Sequence, residues 1–135
     1  MKYLFSPELQ EKAEDISKSI FPHIKIEHIK CFRSQGSKSR GTIARCHALG
    51  KVMQKALGRE AFYVLEFISE RFDKLPEEEK TKTIIHELMH VPKSFGGGFK
   101  HHDFVNHRNI KNMYEQYLKL KEQSLQSSFT DEGKI

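Results

Sequence analysis

The stretch Pro76-Glu77-Glu78-Glu79-Lys80-Thr81-Lys82-Thr83-Ile84-Ile85-His86-Glu87-Leu88-Met89-His90-Val91-Pro92 decides how the rest of the chain reads. Proline in the first turn and three acids where the helix dipole favours negative charge predict a helix opening. Pro92 drives Val91 out of the helical region, so the helix stops at His90. Within it, His86 and His90 stand one turn apart on nearly the same face. Both imidazoles can reach one metal ion, with Glu87 beside that ion rather than in the same slot. Ile84, Ile85, Leu88 and Met89 form the apolar side, which turns the His–Glu face towards a cleft.

Outward from this helix, Ala61 to Ser69 is rich in aromatic and β-branched residues and reads as a strand leading into it. Further upstream, Ser6-Pro7-Glu8 starts a helix whose apolar positions Leu9, Ala13, Ile16 and Ile20 keep helical spacing until Pro22. His23 to Arg33 alternates with period two and predicts a strand. Residues 34–41 are turn chemistry, and Thr42 to Ala48 predicts a second strand in a hairpin with the first. Gly50 to Leu57 suits a short helix ended by Gly58. Downstream, Lys93 to Lys100 is a loop bent at Gly96-Gly97-Gly98. A last helix is predicted from Val105 to about Leu125, with Ile110, Met113, Tyr114, Tyr117, Leu118 and Leu120 on its buried side. The expected fold class is α+β: a small, mostly antiparallel three-stranded sheet packed on helices, the metal helix following the third strand. Residues 1–125 then form one domain, and 126–135 a polar, frayed C-terminal tail.

Composition narrows the class further. The chain has 135 residues, 37% hydrophobic and 30% charged, which fits a soluble globular protein. No apolar run has the length of a membrane span, and Met1 to Phe5 is too short for a signal-peptide core, so the expectation is a cytoplasmic protein without membrane contact. Cys31 and Cys46 are expected to be reduced and buried. The net charge is +5, and the segment Lys25–Arg45 carries Lys25, Lys30, Arg33, Lys38, Arg40 and Arg45 against Glu27 alone. That segment is a candidate for weak nucleic-acid contact, and equally a solvated strand face with a basic loop.

Five of the eight histidines fall between His86 and His107, a density that a folded core does not require. A catalytic zinc takes three protein ligands and keeps one position for water. His86 and His90 supply two. For the third, His102, His101 and Glu115 are the candidates, in that order; the two histidines follow the glycine bend that folds the chain back under the helix end. Zinc supplies a water of lowered pKa, and Glu87 is placed to take its proton and deliver it to a leaving amine. His107, Arg108 and Tyr114 are candidates for a second oxyanion donor, and Asp103 for orienting a ligand imidazole. Ordinary helix or capping roles suit these four as well.

With these residues in view, the chain resembles the small metallopeptidases predicted for archaea and phages, members of the zincin superfamily. The resemblance runs through Cys31-Phe32-Arg33-Ser34, Ser37-Lys38-Ser39-Arg40, Gln54 to Gly58, Tyr63 to Glu66, Ile68 to Asp73, His86 to Lys93 and Gly97 to His102, which is most of the chain except both ends. It implies a zinc-dependent, peptidase-like fold acting on a protein or peptide, with His86 and His90 as ligands, Glu87 as base and His102 as third ligand. More distantly the chain is similar to SprT-like proteases, but no glycine follows His102 and no zinc-ribbon cysteines follow. The metzincin spacing is excluded, because its third histidine would fall at Gly96. The leading expectation is a zinc metallopeptidase. The alternatives are a metal-stabilised nucleic-acid-binding module and a metal-dependent ribonuclease; Glu87 between the histidines suits amide hydrolysis better than the latter.

Overall fold

A computed structural model of the chain describes the backbone of residues 1–132 and the side chains through Gln126. Nine regular elements follow in order: β1 (Lys2–Phe5), α1 (Pro7–Ile20), β2 (Ile29–Gln35), β3 (Ala44–Ala48), α2 (Lys51–Leu57), β4 (Tyr63–Ile68), α3 (Ser69–Phe72), α4 (Glu77–Met89) and α5 (His107–Glu132), with one 3-10 turn at Ile26–His28. The architecture is α+β, but the sheet differs from the expected one. It has four strands in the order β1-β2-β4-β3, with β2 and β4 parallel and the outer pairs antiparallel.

Hydrophobic burial explains that order. β4 is a nearly continuous apolar run, and all of its residues except Val64 are buried, which suits only an interior strand with neighbours on both edges. β3 is largely half-buried and no residue of β1 is buried, so these take the edges. The hairpin expected between β2 and β3 therefore does not form. The polar connection 36–43 carries the chain past β4's position, and α2 returns it to fill the gap. β1 has no counterpart among the expected strands, because four exposed residues carry no amphipathic signal.

The strand expected from His23 begins only at Ile29. The 3-10 turn after Pro22 takes up residues 26–28, and Ile29, Cys31 and Ser34 are the buried positions of β2. Beyond the end of β1, β2's free edge is completed by a side chain: Gln10 donates to the Ile29 carbonyl at 3.0 Å and accepts from the Cys31 amide at 2.8 Å. This buried amide stands in for a strand partner and ties α1 to the sheet. Cys31 and Cys46 both pair with Leu65, one on each side of β4. Two strand spacings, roughly 9–10 Å, exceed disulfide reach. Both thiols are free, and burial pushes both pKa values up, Cys31 to about 12.

α1 begins as expected, with Ser6 accepting from the Leu9 amide and Leu9, Ala13, Ile16 and Ile20 buried. α4 places Ile84, Ile85, Leu88 and Met89 in the core with Leu65, Phe67 and Phe72. Lys80 and Lys82 are half-buried: their stems lie along the surface with Nζ 5.9 Å from the Phe72 ring and 5.2 Å from Tyr114. α5 starts two residues later than expected, with Asn106 accepting from the Asn109 amide at 3.0 Å. It buries Ile110 and Tyr117 but leaves Leu118 and Leu120 exposed. The backbone continues as helix through Glu132, past the Leu125 limit, and the last three residues of the expected 126–135 tail lie outside those described. Among the described residues, no helix is long and apolar enough to cross a membrane.

Candidate metal centre

The cleft beside β3 is walled by α4 on one side and the segment 99–102 on the other, with a volume of about 390 Å³. His86, Glu87 and His90 enter it from α4, while Ala44 and Cys46 approach from the edge strand. α4 ends at the second histidine as the sequence predicts: His90 is its C-cap, and Val91 is buried immediately afterwards.

His86, His90 and His102 each offer a nitrogen, and these three atoms lie within 4.8 Å of one another. Their ring centroids are 5.2 Å apart for His86–His90, 5.1 Å for His90–His102 and 6.0 Å for His86–His102. His101 lines the same cleft but is not one of the three, and its carbonyl accepts the Phe104 and Val105 amides instead. Glu115 is exposed on α5, outside the group.

The donor set fits a divalent cation. His90 Nδ1 lies 2.7 Å from the Lys100 carbonyl, which can only accept, so Nδ1 carries the proton and the Nε2 lone pair is left for a metal. Burial, reinforced by His90, His102 and His107, lowers the His86 pKa to about 4, and burial also lowers that of His90. Both imidazoles are therefore neutral at physiological pH, the form that ligates. Glu87 is 6% exposed, and burial alone raises its carboxyl pKa to about 7. Cys46 is close enough for Glu87 to add to the burial that suppresses its ionisation.

The remaining sequence candidates take varied positions. His107 shares a second cavity with His86, between α4 and α5, and contributes to the lowering of the His86 pKa. Arg108 is exposed and lines neither cavity, and Tyr114 is half-buried beneath Lys82. Asp103 organises its own turn, accepting from the Phe104 amide and, through its carbonyl, from Asn106. The imidazole-orienting acceptor is the Lys100 carbonyl, a backbone group with no signature in sequence. The basic segment is dispersed: Arg33 pairs with Glu8 and Asp73, Arg45 faces Glu66, and Lys30 lies over the Phe5 ring. A larger cavity of about 470 Å³, between the ends of α1 and α4, is mostly apolar, and His23 is the one imidazole in its lining.

Fold and site together define a class: an α+β protein with a candidate three-histidine metal centre whose helix also carries a buried glutamate. The chain belongs to the family described as "Putative phage metallopeptidase", whose model matches residues 1–127. That description names a peptidase that works with a metal. No curated protein and no solved structure matches the chain.

Proposed function

We propose that the chain is a zincin-like zinc peptidase in which His86, His90 and His102 hold the ion and Glu87 is the general base. The observation that carries this reading is the junction of three converging imidazole nitrogens with one desolvated carboxyl in a single cleft. Zinc bound there would supply Lewis acidity and a water of lowered pKa. Glu87, with its own pKa near 7, is matched to accept a proton from water in the cleft and return it to the departing amine. The Lys100 carbonyl holds His90 in the ligating tautomer. Of the three oxyanion-donor candidates, His107 has the most support, since it alone shares a cavity with His86. The substrate is a protein or peptide. A nucleic-acid role for Lys25–Arg45 has less support, because Arg33 and Arg45 are spent on internal carboxylates.

Glu87→Gln tests the assignment. Purified wild type is expected to contain one zinc per chain by elemental analysis, and the variant to retain it. Peptide hydrolysis should fall by about 10²–10⁴-fold, the range for loss of a general base. A variant as active as wild type rules out the base role. Wild type that purifies and reconstitutes without zinc rules out the centre.

A further inference from the structure

α2 has an unusual make-up. None of its seven residues is buried, Gln54 is the least exposed of them, and Val52, Met53 and Leu57 each leave half or more of their surface to solvent. A surface helix with no buried side chain adds little to the core. What α2 does contribute is the Gln54 amide, which donates to the Leu49 carbonyl at 2.7 Å and to the Gly96 carbonyl at 3.0 Å. The second of these reaches into the loop that leads to His102.

The same loop is gripped from the sheet. Tyr63, fully buried at the start of β4, donates its hydroxyl proton to the Gly98 carbonyl at 2.8 Å and accepts the Gly97 amide at 2.9 Å. Gly97 sits at φ +100°, and a Cβ there would lie 2.5 Å from both the Leu49 carbonyl and Gln54 Nε2. Only glycine permits this approach. Phe95, the one non-glycine residue at positive φ among those described, is held at φ 49° with its ring 5.0 Å from Tyr63. At the far end the Lys100 amide donates to the His90 carbonyl at 2.7 Å. The chain is thus fixed at residues 95–98 and again at 100, and His102 follows two residues later.

We propose that Tyr63 and Gln54 are positioning residues for the metal centre. Their hydrogen bonds to Gly96, Gly97 and Gly98 set the loop path that aligns the Lys100 carbonyl with His90 and brings His102 into ligand range. His102 is exposed, and its ring meets only those of His86 and His90 among the contacts described, the residues with which it would share the ion, so its position depends on this clamp. α2 acts as a support for Gln54. The inference rests on the proposed metal site, and the experiment separates the two.

The test is a cobalt(II) titration of the full chain, with a competing chelator to measure affinity and the visible spectrum of the loaded protein to report coordination. Tyr63→Phe keeps the ring and removes both hydroxyl bonds; Gln54→Ala removes the amide. Ile16→Val, in the core away from the loop, is the control for general loosening. Each clamp variant is expected to bind cobalt about 10–100-fold more weakly, the range for lost outer-shell support, with altered visible bands. Ile16→Val should keep the wild-type affinity and spectrum while its melting temperature drops. Wild-type affinity and spectrum in both clamp variants would overturn the proposal. So would an equal loss of affinity in Ile16→Val. Wild type that binds no cobalt overturns the metal centre itself, and the clamp's role with it.

Discussion

α4 and the segment from Val91 to Asn106 deliver ligands to one point by opposite means. On α4, His86 and His90 are located by packing, because Ile84, Ile85, Leu88 and Met89 are each at most 3% exposed on the helix's other side. In the loop, His102 is exposed, and the chain that presents it is held by hydrogen bonds to backbone amides and carbonyls. A packed helix fixes side chains one turn apart without reference to anything else. A loop fixes nothing unless other elements grip its backbone. The two helix ligands should therefore behave as a rigid pair and the loop ligand as an exchangeable one.

The strongest way to break that contrast is to remove one ligand from each region. His90→Ala deletes a ligand that the rigid helix cannot replace, and it also leaves the Lys100 carbonyl without its partner. Zinc affinity should fall by at least about 100-fold, roughly 2.7 kcal/mol or more. His102→Ala should cost less, on the order of 10-fold, because His101 lines the same cleft and the loop can shift to present it. Competition titration with a chromophoric chelator measures both. Equal losses in the two variants would mean that the loop is as rigid as the helix.

The next effect concerns the cost of burying Glu87 on the packed side. Without metal, its folded pKa of about 7 lies above its ordinary value of 4.5. A raised carboxyl favours folding fully below pH 4.5, and that contribution is lost as pH rises through 7. Glu87→Gln stays neutral throughout. Metal-free Glu87→Gln should therefore match wild type near pH 4.5 and be more stable by up to about 3 kcal/mol at pH 8, since each pH unit between the two pKa values is worth roughly 1.4 kcal/mol. Urea denaturation at the two pH values checks it. His86 acts in the opposite sense: its lowered pKa gives stability that is present above pH 6.5 and lost as pH falls towards 4. A Glu87→Gln advantage that is already complete at pH 4.5 would contradict the burial argument.

The same contrast governs what the sequence discloses. α4 is legible because its start, stop and apolar face are all local: Pro76, three glutamates, Pro92 and four core residues. α1 reads for the same reason, through Ser6, Pro7 and Leu9. The sheet order does not read, since nothing in residues 29–48 states that a strand fifteen residues further on will insert between β2 and β3. Only the unbroken apolar character of Tyr63–Ile68 hints at a central position, and parallel pairing with β2 follows from tertiary packing. Likewise the His86–Glu87–His90 unit is visible as a pattern, whereas the acceptor for His90 is a carbonyl at Lys100. Tyr63 and Gln54 read as an ordinary strand residue and an ordinary helix residue until the loop is seen against them.

The smallest effect sharpens the comparison inside the loop. Gly97 and Gly98 are adjacent and chemically identical, yet the structure treats them differently. Gly97 has φ +100° and backbone 2.5 Å from the site of a Cβ, so Gly97→Ala must displace Leu49 or the loop itself. It should destabilise the chain by roughly 2 kcal/mol or more and weaken metal binding with it. Gly98 has ordinary φ and nothing within 4 Å of its would-be Cβ, and only its carbonyl, which alanine keeps, meets Tyr63. Gly98→Ala should change stability by about 0.5 kcal/mol or less, with stabilisation favoured because alanine restricts the unfolded chain. Its zinc affinity should equal that of wild type. Thermal melts and metal titrations of the two variants side by side make the comparison; if Gly98→Ala proves as damaging as Gly97→Ala, the loop is held by the steric demands of its whole bend rather than by the contacts at Gly97.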